Sequence, residues 1–442
     1  MNPPKIDLTA RLVLNLAPWR TASTWRIAFS GGLDSTVLLH LLAHLAKTES
    51  LPALSAIHVH HGLQAAADAW PEHCRSVCDA LGVPLEVVRV QVQPGASLER
   101  AARDARYGAF IAATHANDVL LTAQHRDDQA ETLLFRLLRG AGVRGLSGMP
   151  GERVLGQGHL LRPLLEVTRA ELEAYAALHQ LSWIEDPSNE DRQFSRNYLR
   201  HQVFPVLTER WPQAQATMAR SAAHLREAQE LLDELAQIDL VEAGSRSDFD
   251  WLGLPSLNLA VLEKLSAARQ RNVLSYWLKT RTRLPDSDHW SGWEDLRDAT
   301  GDARPIWRLA EGELHRASGR IWWLSGPWLR TPPVAGRWAD PTLPLALLDN
   351  GQLSMTGQVP DGPLHIRYRE GGEIMSLPER GHRDLKRLLN ERGVPLFARG
   401  RLPLLYCGEQ LLAVAGLQGL NGSVRDGWNL HWQPPTEDQG LS

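Results

Sequence analysis

Between Ile27 and His40 the chain reads IAFSGGLDSTVLLH. Within it, Ser30, Gly31, Gly32, Leu33, Asp34 and Ser35 combine features that suit phosphate oxygens. Two glycines, free of Cβ atoms, let backbone amides approach a ligand. The helix that follows offers unpaired N–H groups and a partial positive charge, and the two serines add hydroxyls. No lysine follows the glycines, so this is not the G-x-x-x-x-G-K-[ST] loop, and it lacks G-x-G-x-x-G spacing. A second group, HRDDQAE from His125, sets Asp128 and Glu131 three residues apart at a helix start. Carboxylates there can ligate magnesium or pair with a cationic group, and His125 can help move a proton. Acids also favour helix N-termini with no catalytic duty. Arg103 and Arg106 (AARDARY) share one helix face, as do Arg196 and Arg200 (SRNYLRH). Such cations would serve a polyphosphate beside a nucleotide.

The elements that must hold these residues alternate. Residues 25–30, 53–59, 84–92 and 118–123 read as buried strands. Residues 34–47, 67–82, 97–116 and 127–140 read as helices, the last closing at Gly140, where a left-handed cap is cheap. Strands apolar on both faces, alternating with helices, predict a Rossmann-like α/β domain: a parallel sheet with helices on both faces. Ligands then bind at the C-terminal ends of the strands, where Ser30 and His125 fall. Thr168 with Glu171 fits a helix-opening capping box, and a long helix over about 212–237 leads out of the first domain. Domains are expected at 1–215, 216–326 (mostly helical, with short strands) and 359–442 (small, α+β), with a Pro-rich linker at 327–358. A helix is expected over 381–393.

With 442 residues, about three domains fit the length. No apolar run reaches the roughly 20 residues that cross a bilayer, and the N-terminus lacks the features of a signal peptide. A cytoplasmic protein without membrane contact is expected. Cys74, Cys78 and Cys407 give no disulfide framework. The net charge of −4 does not advertise a polyanion partner, yet residues 365–402 hold nine basic and five acidic side chains. That local excess fits phosphate contacts. Arg383, Lys386, Arg387 and Arg399 are its candidate phosphate-contacting members. Trp322 and Trp323 are readable as packing.

The SGGLDS stretch resembles the pyrophosphate-binding loop of the N-type ATP pyrophosphatases, or PP-loop enzymes. These cleave ATP between its α and β phosphates. Three further motifs narrow the resemblance: HVHHGL (58–63), TAQHRDDQAETLLFRLLRGAGVRGLSGM (122–149) and EDPSNEDRQFSRNYLR (185–200). In that order, with RPLL (162–165) between the last two and GGE (371–373) and LKRLLNERGVPLFARGRLPLLYCGEQLLAVAG (385–416) beyond, they resemble the tRNA(Ile)-lysidine synthase family. The commonest family pattern is departed from at His60 and at Ala123-Gln124.

The resemblance implies that ATP adenylates the C2 carbonyl oxygen of the wobble cytidine in tRNA(Ile) with a CAU anticodon. Free L-lysine then displaces AMP, and Mg2+ supports the first step. It implies ATP contacts at Ser30, Gly31, Gly32, Leu33, Asp34, Ser35, His58, Arg103, Arg196 and Arg200. Catalytic roles fall to Asp34, His125, Asp128, Glu131 and Arg106, with magnesium at Asp34 and Asp128. Which acid takes magnesium and which the lysine amine stays open, as does the oligomeric state, a homodimer included. The competing enzyme is a tRNA 2-thiolase, which would need reactive cysteines. A binding module that has merely kept the loop is the third reading.

Overall fold

The structure, a computed structural model, describes residues 8–62, 65–92, 98–284, 287–300, 303–331, 336–377, 381–423 and 427–436. Two compact units divide the chain, Met1–Glu230 and Leu231–Ser442. This boundary lies 15 residues beyond the one expected at 215/216, and both fall inside the long helix, Ala214–Ala243.

The first unit runs α1 (Leu8–Leu16), β1 (Thr24–Ala28), α2 (Leu33–Leu45), β2 (Ala53–His60), α3 (Trp70–Leu81), β3 (Leu85–Arg89), α4 (Leu98–Ala113), β4 (Val119–Leu121) and α5 (Arg126–Leu137). It continues with α6 (Val143–Leu146), β5 (Glu152–Leu155), β6 (Gly158–Leu161), α7 (Arg169–Leu178), α8 (Ser195–Tyr198), α9 (Phe204–Arg210) and the first part of α10 (Ala214–Ala243). The sheet order is β3-β2-β1-β4-β6-β5. Five strands are parallel, and β5 pairs antiparallel with β6. This hairpin was not evident in sequence, because each arm spans four residues and the turn is only Gly156-Gln157. The chain moves outward from β1 through β2 to β3, then crosses back to β4 on the other side of β1. The order therefore reverses between β1 and β4, and a crevice opens at their C-terminal ends.

Alternate residues of one strand feed two cores. Val119 and Leu121 pack with Ile27 and with Val37, Leu38 and Leu41 of α2. Leu120 packs on the opposite face with Ile57 and with Phe110 of α4. Helix α2 is buried at every position from Ser35 to Ala43, which explains its almost uninterrupted apolar run. Its first turn is thus fixed by the sheet on one side and by α7 on the other. The capping box is present: Thr168 accepts from the Glu171 N–H, and Glu171 accepts from the Thr168 N–H at 2.8 Å. Helix α5 ends at Leu137, earlier than expected, and Gly140 takes a φ of +72° in the turn beyond.

The second unit begins with the end of α10, then β7 (Ser256–Asn258), α11 (Leu259–Lys264), α12 (Ala267–Leu278), α13 (Ser291–Asp298), β8 (Ile306–Arg308), β9 (Gly312–Ala317) and β10 (Arg320–Ser325). Leu274, Leu278, Trp293, Trp307 and Trp323 fill its helical core. Trp322 points the other way, into the core that follows. There lie β11 (Gly336–Arg337), β12 (Leu345–Ala346), β13 (Gln352–Gly357), β14 (Leu364–Arg367), β15 (Ile374–Leu377), β16 (Gly381–Asp384), α14 (Leu385–Glu391), α15 (Leu396–Arg399), β17 (Leu404–Cys407), β18 (Gln410–Val414), β19 (Gly422–Ser423) and β20 (Trp428–Gln433). They form sheets β11-β14-β17-β18-β15-β16 and β12-β13-β20-β19.

Residues 327–358 differ from the linker reading. They carry three of these strands and bury Trp328, Trp338 and Leu353 in the C-terminal core. Prolines made the backbone irregular; the large apolar side chains still anchor it. The helix expected over 381–393 is split likewise. Its first residues pair as β16, and Asp384 then caps α14 by accepting from the Arg387 N–H at 2.9 Å. Glu379 and Arg380 of the basic segment lie outside the described residues. Among the described residues no helix is long and apolar enough to cross a membrane.

Candidate active site

The glycine turn sits at the end of β1. Gly31 has a φ of +84°, and Gly32 caps α2 with extended backbone. Ser30 and Ser35 face each other, Oγ to Oγ, at 3.0 Å. The Ser35 hydroxyl donates to the Gly32 carbonyl at 3.0 Å, and Ser30 Oγ accepts from the Gly32 N–H at 3.3 Å. Both serines are therefore spent on shaping the turn. What remains for a ligand are the N–H groups of Leu33, Asp34 and Ser35, which helix geometry leaves without intrahelical acceptors. The turn is also braced from outside, since the Ile184 N–H donates to the Gly31 carbonyl at 2.8 Å. A Cβ on Gly31 would lie 2.8 Å from Ile184 Cδ1 and 3.1 Å from Cys74 Sγ. Gly31→Ala adds that crowding to a left-handed strain of about 1–2 kcal/mol. We expect a lower melting temperature and a higher KM for ATP; unchanged values of both would mean that the turn tolerates a side chain.

The second wall comes from α5, at the end of β4. His125 is its N-cap: Nδ1 accepts from the Asp127 N–H at 3.2 Å, and Asp128 Oδ2 accepts from the His125 N–H at 3.0 Å. With Nδ1 accepting, the proton of a neutral ring belongs on Nε2. That nitrogen lies 3.7 Å from Asp34 Oδ2 and 3.6 Å from Asp128 Oδ2. Burial raises the Asp34 carboxyl above its ordinary value, against the opposing charges of His125 and Arg169. Glu131 is 3% exposed. Its two oxygens accept from Arg200 Nε at 2.7 Å and Nη2 at 2.9 Å, and Nη2 also reaches Asp128 at 3.2 Å. Burial raises Glu131 too, with Arg200 pulling it back.

These groups share one cavity of about 880 Å3. Of the sequence candidates, Ser30, Gly32, Leu33, Asp34, Ser35, His58, Arg106, His125, Asp128, Glu131 and Arg200 line it. Gly31, Arg103 and Arg196 do not. Gly31 is turned toward Ile184 and Cys74, and Arg103 lies over the Tyr107 ring at 5.0 Å. Arg103 and Arg196 both remain within electrostatic reach of Arg106. His58 is 3% exposed, and its Nδ1 faces the Phe29 carbonyl at 2.9 Å.

Sequence reasoning missed Arg169. It opens α7 and donates through Nη1 to both oxygens of Asp34, at 3.2 and 3.1 Å. Its backbone N–H donates to Asp127 at 3.2 Å. A signal was present: a cation at the first position of a helix opposes the dipole, so it needs an acid elsewhere. The role of Ile184 had none, because a lone apolar pair in an irregular polar stretch does not say what it braces.

Cys74 and Cys78 are fully buried. Burial pushes their thiols up to about 12 and about 11. Thiolate is the reactive form, so neither is equipped for sulfur transfer.

Known proteins match the whole chain. Residues 6–207 match the model of the PP-loop domain, 257–322 that of the TilS substrate binding domain, and 364–432 that of the TilS substrate C-terminal domain. A tRNA(Ile)-lysidine synthase of Pseudomonas fluorescens (strain Pf0-1) is 74% identical over 100% of both chains. One of Pseudomonas syringae pv. tomato is 65% identical over 99% of this chain and 98% of its own. One of Pseudomonas aeruginosa is 62% identical over 99% and 100%. With such identity along its full length, and with the PP-loop model falling on the half that holds the cavity, the chain belongs to the tRNA(Ile)-lysidine synthase family.

Proposed function

We propose that this chain joins free L-lysine to C2 of the wobble cytidine of CAU-anticodon tRNA(Ile), consuming ATP and giving lysidine, AMP and pyrophosphate. One observation supports the reading best: a glycine turn with open helix amides and an acid–histidine–arginine cluster meet in one cavity. In the first step the C2 carbonyl oxygen attacks the α-phosphorus and pyrophosphate leaves. The amides of Leu33, Asp34 and Ser35 receive the phosphates, and Arg106 supplies positive charge from across the cavity. In the second step the lysine ε-nitrogen bonds to C2, and the C2–O bond breaks as AMP departs with that oxygen.

The ε-ammonium, with a pKa of about 10.4 in water, must shed a proton before it attacks. Asp34 and Asp128 stand equally near His125 Nε2, and the one of them that does not hold Mg2+ is the base we favour. His125, with Nδ1 occupied, acts through its Nε2 proton and orients Asp34 and Asp128. Glu131 fixes Arg200 and does not reach for a ligand.

Mg2+ is the further expectation. Among the described residues no three His, Cys, Asp or Glu side chains could hold a metal ion. Mg2+ bound with a nucleotide takes one or two carboxylates, phosphate oxygens and water. Asp34 and Asp128, converging on His125 Nε2, fit that smaller set. The ion would supply charge neutralisation for the departing pyrophosphate.

Contacts with tRNA fall partly to the C-terminal basic segment. Arg383, Lys386 and Arg387 are exposed, and Arg387 pairs with Glu391 at 3.1 Å. Arg399 donates to the Val394 carbonyl at 2.8 Å and to Asn390 Oδ1 at 2.5 Å, so it also holds its own domain together. We therefore expect Arg383→Gln with Lys386→Gln to weaken tRNA binding and lower its salt slope by about 1 for each phosphate no longer neutralised. An unaltered slope would move the surface elsewhere. The reading as a whole is tested by incubating the chain with ATP, labelled lysine and isoleucine tRNA transcript. Label in the tRNA supports it; sulfur-dependent modification, or binding without modification, would overturn it.

A further inference from the structure

A second cavity, of about 850 Å3, opens in the first unit beside the catalytic one. Helix α5 divides them: His125, Asp128 and Glu131 line the first, whereas Arg126 and Gln129 line the second. The second is walled by Arg126, Arg162, Arg220 and Arg226, with half-buried Trp19 at its side. Arg162 is 5% exposed and donates to the Pro150 carbonyl at 2.8 Å. Arg226 donates to the Ser147 and Met149 carbonyls at 3.3 and 3.1 Å. These carbonyls hold the guanidinium groups in place without cancelling their charge. Among the described residues no ion pair joins any of the four to a carboxylate. The Nε atoms of Arg126 and Arg162 are buried without a hydrogen-bond partner. The glutamates on the cavity, Glu152, Glu166 and Glu230, are exposed to solvent. From α10 the cavity meets Ala216, Ala219 and Ala223, so a bulky ligand can approach the helix closely.

Uncancelled cations along a groove, together with an aromatic ring, are what a single nucleic-acid strand requires: charge for the phosphates and a surface on which a base stacks. We infer that this cavity seats the RNA strand next to the reacting cytidine, with its arginines on phosphodiester oxygens and Trp19 against a base. This rests on tRNA being the substrate. The strand would pass across the first turn of α5, so that one helix turn holds the backbone on one side and performs chemistry on the other.

The test compares the full-length chain with Arg220→Gln, at an exposed position, and with Arg126→Gln plus Arg220→Gln. Transcript affinity is measured over a range of salt, and ATP affinity and melting temperature are measured alongside. The double variant should bind tRNA about tenfold more weakly, its slope of log Kd against log salt should shrink by about 0.7 for each single-strand phosphate left unneutralised, and ATP affinity should hold. Arg220→Gln alone should show part of the slope change with unaltered melting. A wild-type slope in both variants overturns the inference. So does a loss of ATP affinity with tRNA affinity intact, which would give the cavity to the nucleotide. Lysine incorporation by the wild-type chain separates the two levels: incorporation with unchanged slopes removes only the cavity, and no incorporation removes tRNA as substrate.

Discussion

Asp34→Ala should abolish release of AMP and pyrophosphate, lowering the single-turnover rate by about 10²–10³-fold or more, while the protein stays folded. The side chain stands in the first turn of α2, where the phosphates are received, and faces His125 and Arg169. On the proposed reading its loss removes one of the two carboxylates shared between Mg2+ and the lysine amine. The cost in stability is small. The Asp34–Arg169 pair is partly open to solvent, with side chains 28% and 40% exposed, and such pairs contribute about 0–1 kcal/mol. The sign at alkaline pH goes further. A carboxyl whose folded pKa is raised contributes stability that is fully present below its unfolded value and lost as pH rises through the folded one. Ionised Asp34 is therefore a burden on the fold near neutrality, and Asp34→Ala should melt no lower at pH 8 than the wild type. Turnover at the wild-type rate would remove Asp34 from the site.

Arg200→Met carries the second large effect. Glu131 is nearly inaccessible, whereas Arg200 reaches solvent on one side. Removing the arginine strands a buried carboxylate; removing the glutamate leaves a cation that water can reach. Arg200→Met should therefore destabilise more than Glu131→Gln, by about 1–3 kcal/mol. Burial already raises Glu131, and Arg200 is the main opposing influence, so the variant's Glu131 rises further. By the same linkage the defect is least below the ordinary glutamate value of about 4.3 and grows as pH increases. Melting curves from pH 4 to 8 check this. A defect independent of pH, or a larger one in Glu131→Gln, would contradict the assignment of Glu131 as the buried partner. Activity should fall with it, since Arg200 also holds Asp128.

Much of this site was legible because its chemistry is local in sequence. The glycine turn, the acids of α5 and the strands that present them each fall within a short window, and the apolar runs of β1 and β4 put both at the same sheet edge. What escaped depends on residues distant along the chain. Arg169 meets Asp34 across 135 residues, and only its position against a helix dipole hinted at a partner. The serines looked like ligand donors, yet they close the turn on themselves. In sequence Glu131 reads as one of several acids at a helix start, whereas its pairing with Arg200 is a tertiary fact. Beyond the first unit, two of the three strands in the Pro-rich stretch have only two residues and give no periodicity to read, so residues 327–358 read as a linker although Trp328, Trp338 and Leu353 anchor them.

If this cavity builds lysidine from cytidine, ATP and free lysine, the product itself carries the proof. Mass spectrometry of nucleosides from isoleucine tRNA transcript treated with the chain, ATP, Mg2+ and lysine is the most direct measurement. The wobble cytidine should gain the mass of lysine less one water, in wild type but not in Asp34→Ala. An unmodified cytidine, or one carrying sulfur in place of its C2 oxygen, would contradict the proposed reaction.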